Sequence, residues 1–333
     1  MVKTVNSAFD EFLKSKVNLD QNKTIKARNS RNWLINQIHE FPNRDNNFPK
    51  FYSSNDINFG SFARKTQIRP LDDIDFMVCI SAEGSSYDSS ITNNIHEIIV
   101  PEKAEKLKKL CNDGNNTLNS IKVVNKFKKL LKNIPQYDKA NLKRKGEAVT
   151  LKLTSYDWNF DIVPCFFTVA DHNDRTYYLI PDGNGKWKKT DPRMDRDRVS
   201  TINPNNNGKV LNAIRLMKYW NKRPTMPSMP SYLIENMVLD YYETNQAGNY
   251  IDYEIKYLLK YIKDNIFYSV QDPKGIQGDI NTLSFDEKTK IKNRADSDYD
   301  KAILAGEFET NKDQKSAINK WKEIFGSEFT EYS

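Results

Sequence analysis

Apolar residues recur near helical spacing in two N-terminal segments: Phe9, Phe12 and Leu13 within Ser7 to Lys16, then Ile25, Trp33, Leu34 and Ile38 within Asp20 to His39. Both segments are predicted helices that form a supporting spine. The pattern changes to alternation at Asp73 to Ile80, where Ile74, Phe76, Val78 and Ile80 share one face of a predicted strand. Asp73 and Asp75 then share the opposite face, and Asp72, one position earlier, points away from them as a solvated or structural residue. After a polar loop at Ala82 to Ser90, helical spacing returns in Glu102 to Cys111 and in Leu118 to Asn133, the latter striped by Ile121, Val124, Phe127, Leu130 and Leu131. Strands are predicted at Glu147 to Leu153, at Asn159 to Phe167, and at Thr176 to Pro181 with Trp187, closed by the turn Asp182-Gly183-Asn184-Gly185. From about Asp191 the chain reads as helical, with helices at Lys209 to Arg223, Tyr232 to Glu243, Tyr250 to Phe267, Phe285 to Leu304 and Lys312 to Phe325. A Pro-rich break at Pro224 to Pro230 interrupts them.

At 333 residues the chain exceeds a typical single-core domain, so two packed lobes are expected. Its 38% hydrophobic and 12% aromatic residues supply enough apolar mass for a core and exclude general disorder. No apolar run reaches the roughly 20 residues that span a bilayer, and Met1 to Asp20 lacks the apolar centre of a signal peptide, so a cytoplasmic location without membrane association is expected. Cys79, Cys111 and Cys165 are too widely spaced for a zinc pattern and too few for a disulfide framework, and read as buried free thiols. His39, His96 and His172 fall in separate segments and suggest neither a His-based metal site nor a His-activated nucleophile. The formal charge of +7 suits anionic partners, but acids are interleaved with the lysines, so nucleotide substrates alone account for it.

The chemistry resides in three places. Asp73 and Asp75, two apart on a strand, have backbones about 7 Å apart on one face, close enough for their carboxylates to meet around ions. Asp161, within Phe160-Asp161-Ile162-Val163-Pro164, sits between apolar residues, where an unpaired charge is costly and a metal relieves that cost. Gly60-Ser61 follows the strand-like Ile57-Asn58-Phe59; a glycine there lets backbone amides approach a phosphate, and Ser61 can cap the next short helix. Tyr178, Trp187 and Arg193 are candidates to stack on a base, although packing roles are expected for each.

The stretch from Gly60-Ser61 through Arg64 to Asp73-Ile74-Asp75 resembles the signature of the cGAS/DncV-like nucleotidyltransferases, the CD-NTases of bacterial CBASS anti-phage signalling, within the DNA polymerase beta-like superfamily. Phe160 to Pro164 resembles the family's third-aspartate strand, and Arg215 to Trp220 and Pro230 to Glu235 resemble its C-lobe motifs. The resemblance covers most of residues 1 to 245. It implies an α+β fold, with a bilobal polymerase-beta-like core of mixed sheet flanked by helices, an N-terminal spine helix and a helical C-terminal lobe. The domains are expected at residues 1–204 (catalytic, including the N-terminal helices) and 205–333 (helical lobe). It implies that Asp73, Asp75 and Asp161 hold two Mg²⁺, with Mn²⁺ a possible substitute, that Gly60 and Ser61 grip the donor triphosphate, and that Lys218 and Ser231 touch phosphates. On the residues alone, Lys218 is equally an ordinary solvated lysine beside Arg215 and Lys222, and Ser231 equally a helix start.

The activity implied is synthesis of a cyclic di- or trinucleotide second messenger from nucleoside triphosphates (ATP and GTP foremost, UTP as an alternative), with release of pyrophosphate and an effector that binds the product. A monomer is expected. A linear oligonucleotide, RNA-tailing or small-molecule nucleotidyltransferase shares the same core, and a catalytically silent nucleotide- or RNA-binding module is the rival from another class. The chain carries no counterpart of the Cys/His zinc insertion of the animal DNA sensor, so no DNA requirement is expected. It ends Glu331-Tyr332-Ser333 without a terminal Gly, so ubiquitin-like conjugation of the tail is not expected.

Overall fold

The computed structural model of the protein describes residues 2–90, 93–227 and 229–333. In chain order the elements are α1 (Val5–Phe12), α2 (Gln21–His39), α3 (Phe41–Arg44), β1 (Ile57–Phe59), α4 (Gly60–Ala63), β2 (Asp73–Cys79), β3 (Ser86–Tyr87), β4 (Ile98–Ile99), α5 (Glu105–Lys108) and α6 (Ser120–Lys132). There follow β5 (Asn141–Lys145), β6 (Ala148–Lys152), β7 (Asn159–Phe167), β8 (Tyr178–Pro181), β9 (Trp187–Thr190), α7 (Pro192–Asn205), α8 (Val210–Asn221), α9 (Ser231–Thr244), α10 (Ile251–Asn265), α11 (Phe285–Thr310) and α12 (Gln314–Phe325). The fold is therefore α+β. Of the Pro224 to Pro230 break, Ser228 lies outside the described residues. No helix is long and apolar enough to cross a membrane among the described residues.

Contacts sort the chain into two units: one of Gln21–Ala63 and Leu71–Met194, the other of the residues up to Asp20, Arg64–Pro70 and Asp195–Ser333. The units interleave along the chain. The reason lies in the apolar face of α1, where Val5, Phe9 and Phe12 are fully buried in the helical unit's core. Phe9 meets the rings of Trp321 at 4.9 Å and Phe329 at 5.1 Å, and Phe12 meets Tyr219 at 4.9 Å. Arg69 adds a polar tie, donating from Nη1 to the Ser15 carbonyl at 2.7 Å.

In the first unit a seven-stranded mixed sheet runs β1-β2-β7-β6-β5, with β8 on β7 and β9 on β8. Among the described residues of this sheet only β2 and β7 pair in parallel; the other pairs are antiparallel. These two strands are central because both their faces are apolar: Phe76 to Cys79 and Ile162 to Phe166 are buried without a break. The helix α6 presents Val123, Val124, Phe127, Leu130 and Leu131 as its buried stripe, while Ile121 is only partly buried.

Two local expectations are corrected. The helix expected over Glu102 to Cys111 shrinks to Glu105–Lys108, because the flanking backbone is engaged elsewhere: Val100 donates to the Asn116 carbonyl at 2.9 Å, and Cys111 bridges Leu118. The strand β5, Asn-Leu-Lys-Arg-Lys, was not foreseen, since it is polar and almost wholly exposed. It exists because a turn at Gly146 folds it back onto β6.

In the helical unit, α11 buries Ile291, Ala295, Asp298, Ala302 and Ala305, a stripe at helical spacing whose alanines allow close packing. Asp298 is fully buried yet compensated, accepting from Trp220 Nε1 at 2.9 Å, Arg294 Nε at 2.6 Å and Lys301 Nζ at 2.8 Å.

Candidate active site

The site starts from strand pairing. Phe59 of β1 lies opposite Asp75 of β2, so the turn that follows β1 is delivered beside the Asp75 side chain. Gly60 occupies that turn at φ +72°, and a Cβ there would lie 1.9 Å from Asp75 Oδ2. Two independent constraints, the left-handed backbone and the close approach of a carboxylate, therefore favour glycine here and make any side chain strained. Ser61 follows as the second residue of the short helix α4.

Alternation along β2 puts Asp73 and Asp75 on one face, with Met77 and Cys79 further along it. Asp75 pairs directly with Asp161 across the parallel β2·β7 ladder, and directly paired residues share a face. The third carboxylate is thereby brought to the first two: oxygens of Asp73, Asp75 and Asp161 all lie within 4.8 Å of one another, each residue partly buried. Farther along the same face, Met77, Cys79, Val163 and Cys165 join Ile57, Ala148, Tyr178 and Ile180 in an apolar cluster. The acids thus border dry protein on one side, where electrostatic interactions are stronger than in water. Asp161 also accepts a hydrogen bond from the Thr150 hydroxyl at 2.6 Å.

Three carboxylates this close repel one another, and a cluster of hard oxygen donors is the chemistry that divalent cations of the Mg²⁺ type select. The donor set fits such an ion. Asp72 is not part of this cluster, and its Oδ1 accepts from the Asp73 amide at 3.2 Å.

Lys218 and Ser231 belong to the helical unit. Ser231 is the exposed first residue of α9, after Pro230. Lys218 is not a solvated lysine: it is 5% exposed, and its ammonium donates to the Glu235 carboxylate and, at 3.2 Å each, to the carbonyl and hydroxyl oxygens of Thr66. Arg64 Nε donates to Glu235 as well, at 2.7 Å. Burial pushes the Glu235 carboxyl up, but the charges and hydrogen bonds of Lys218 and Arg64 outweigh it and hold the group down at about 2. Burial pushes the Lys218 ammonium down, against Glu235. Sequence patterns placed Lys218 and Glu235 in motifs but not in contact, since the two are joined only by the packing of α8 on α9.

Tyr178, Trp187 and Arg193 take packing roles. Trp187 is fully buried and donates from Nε1 to the Leu118 carbonyl at 3.0 Å. Arg193 lies 5.4 Å over the Tyr178 ring and donates from Nε to Asp191 at 2.7 Å. The three cysteines are buried free thiols, as their spacing suggested.

No family model matches the chain. It is 47% identical over 332 residues to a probable cyclic nucleotide synthase of Bacillus cereus (strain VD146), covering 99% of this chain and 98% of that protein. It is 25% identical over 196 residues to the cyclic AMP-AMP-AMP synthase of Acinetobacter sp. (strain ATCC 27244 / 9458), covering 55% of this chain and 53% of that protein. Its fold is similar to that of Escherichia coli MS115-1 CdnC with ATP, at a TM-score of 0.70 and 18% identity over 98% of each chain. It is also similar to E. coli DncV in a 3′-deoxy GTP bound form, at a TM-score of 0.63 and 14% identity over 96% of this chain and 95% of that one. With a 47% identical relative matched over almost its whole length, the chain belongs to the cyclic nucleotide synthases, the CD-NTase family of cGAS/DncV-like nucleotidyltransferases.

Proposed function

We propose that this protein joins nucleoside triphosphates into a cyclic di- or trinucleotide, a second messenger of anti-phage defence read by a downstream effector. The observation that carries the reading is the convergence of Asp73, Asp75 and Asp161 within 4.8 Å beside a turn whose left-handed backbone favours glycine.

In this reading the three aspartates hold two Mg²⁺, with Mn²⁺ as a substitute. When bound, the ions supply charge neutralisation for the triphosphate and for the departing pyrophosphate. Gly60 and Ser61 grip the donor triphosphate, the glycine letting backbone amides come close to phosphate oxygens. Asp161 helps to take the proton from the attacking hydroxyl of the acceptor nucleotide. The hydroxyl oxygen forms a bond to the donor α-phosphorus, the bond from that phosphorus to the bridging oxygen breaks, and pyrophosphate leaves with the electron pair. Repetition within the linear product closes the ring. Ser231 and Lys218 contact phosphates; for Lys218 this requires exchange of its Thr66 oxygens for phosphate oxygens while Glu235 stays bound. ATP and GTP are the proposed donors, with UTP an alternative. Support comes from a neighbour in fold solved with ATP, another with 3′-deoxy GTP, and a relative named for an all-AMP product.

Purified protein incubated with labelled nucleoside triphosphates and Mg²⁺ should yield a phosphatase-resistant product that mass spectrometry identifies as cyclic. Asp73→Asn combined with Asp75→Asn should yield none. Linear chains alone, or no product across several metals and pH values, would sink the cyclase reading.

A further inference from the structure

Asp161 is paired on both sides. Asp75 faces it across the parallel ladder and Thr150 of β6 faces it across the antiparallel one, so the three side chains form a row on one face of the sheet. Within this row the Thr150 hydroxyl donates to Asp161 Oδ1 at 2.6 Å, the short distance typical of a hydroxyl bound to a charged carboxylate. We propose that Thr150 is a positioning residue: its hydroxyl fixes the rotation of the Asp161 carboxylate so that Asp161 joins Asp73 and Asp75 as a ligand of the divalent ion.

The argument is geometric. A carboxylate has two oxygens and about four lone-pair directions, so one bond to a hydroxyl leaves ample capacity for an ion. That bond restricts the side chain to orientations that keep Oδ1 on Thr150. The β6·β7 ladder fixes the Thr150 backbone, and β-branching leaves its side chain few rotamers, so the donor is rigid. Asp73 and Asp75 are two apart on a single strand, whereas Asp161 comes from another strand and reaches them through the register of β7 on β2, with Oδ1 held on Thr150. Groups that hydrogen-bond a metal-ligating side chain usually govern metal affinity about 10- to 100-fold.

The inference rests on the proposed metal role of the three aspartates, and the test separates the two. Mn²⁺ binding to nucleotide-free protein is measured by electron paramagnetic resonance, alongside the Mg²⁺ concentration that half-saturates product formation and the thermal unfolding temperature. Thr150→Val keeps the branched shape and strand propensity but removes the donor. It should weaken Mn²⁺ binding about tenfold or more and raise the Mg²⁺ requirement in parallel, with the unfolding temperature nearly unchanged. Thr150→Ser restores the hydroxyl and should return both values toward those of the wild type. A folded Thr150→Val protein with wild-type Mn²⁺ affinity overturns the positioning role, as does a serine variant as impaired as the valine one. Should the valine variant fail to fold, Thr150→Ala against Thr150→Ser makes the same comparison. Mn²⁺ binding that survives Asp73→Asn with Asp75→Asn, Thr150 being intact, would instead overturn the metal reading beneath it.

Discussion

At the scale of single residues, the site is governed by like charges held close and by one glycine. Replacing Asp75 with Asn removes one of three mutually repelling carboxylates. Product formation should fall by about 10²- to 10³-fold, the usual cost of deleting one electrostatic contact to the transition state. The unfolding temperature of the metal-free protein should hold or rise, because repulsion is relieved; a marked fall would show that Asp75 is structural. Gly60→Ala should lower activity too, but with a loss of stability. The left-handed backbone alone costs about 1–2 kcal/mol for a side chain, and the added methyl displaces the Asp75 carboxylate. Denaturant titration and Mn²⁺ binding together check it. The alternation that pairs Asp73 with Asp75 is legible in the sequence, whereas the reason for Gly60 is not. That reason depends on Phe59 facing Asp75, a register set by pairing between strands.

The buried cluster of Arg64, Lys218 and Glu235 makes a second residue-scale case. Glu235→Gln should destabilise the protein by roughly 3–5 kcal/mol, because two buried cations lose their counter-charge. The sign of its pH dependence follows from a carboxyl held at about 2 against an ordinary value of 4.5. Its contribution to stability is fully present above the ordinary value and is lost as the pH falls from there through about 2. Unfolding measured between neutral and acid pH should show this segment in the wild type and lack it in Glu235→Gln. An identical acid profile in the two proteins would deny the pair its role.

At the scale of elements, the legible helices are those whose apolar stripe is their main attachment. The helix α6 shows its stripe in sequence, and so does α1. Phe9→Ala should cost roughly 3–5 kcal/mol in denaturant unfolding, since Phe9 is fully buried among the rings of Trp321, Phe325 and Phe329. Elements defined by pairing were harder to read. The edge strand β5 has no alternating apolar face, and its exposed Lys143, Arg144 and Lys145 are the kind of charged residues that keep an open sheet edge from recruiting another chain. Conversely, Glu102 to Cys111 carries helical spacing, but bridging to neighbouring backbone leaves only Glu105–Lys108 helical.

At the scale of the whole molecule, ligand binding and folding are linked. A ligand that binds only the folded protein raises its stability with concentration, by about 2.7 kcal/mol at a hundredfold excess over its dissociation constant. Thermal unfolding should therefore shift upward with ATP and Mg²⁺ together, and the metal-dependent part of that shift should vanish in Asp73→Asn with Asp75→Asn. Persistence of the full shift in the double variant would place the ion elsewhere. What the sequence determined by itself is what local periodicity and residue type can carry: the strand faces, most of the helices, the acids in an apolar setting, and the motifs that mark the family. Only the tertiary structure decided that Asp161 stands opposite Asp75, that Thr150 holds it, that Gly60 makes room for a carboxylate, and that Lys218 lies buried against Glu235. Period two fixes the face on which a side chain lies, but its partner across the sheet or in the core is set by pairing register and packing between residues distant in the chain.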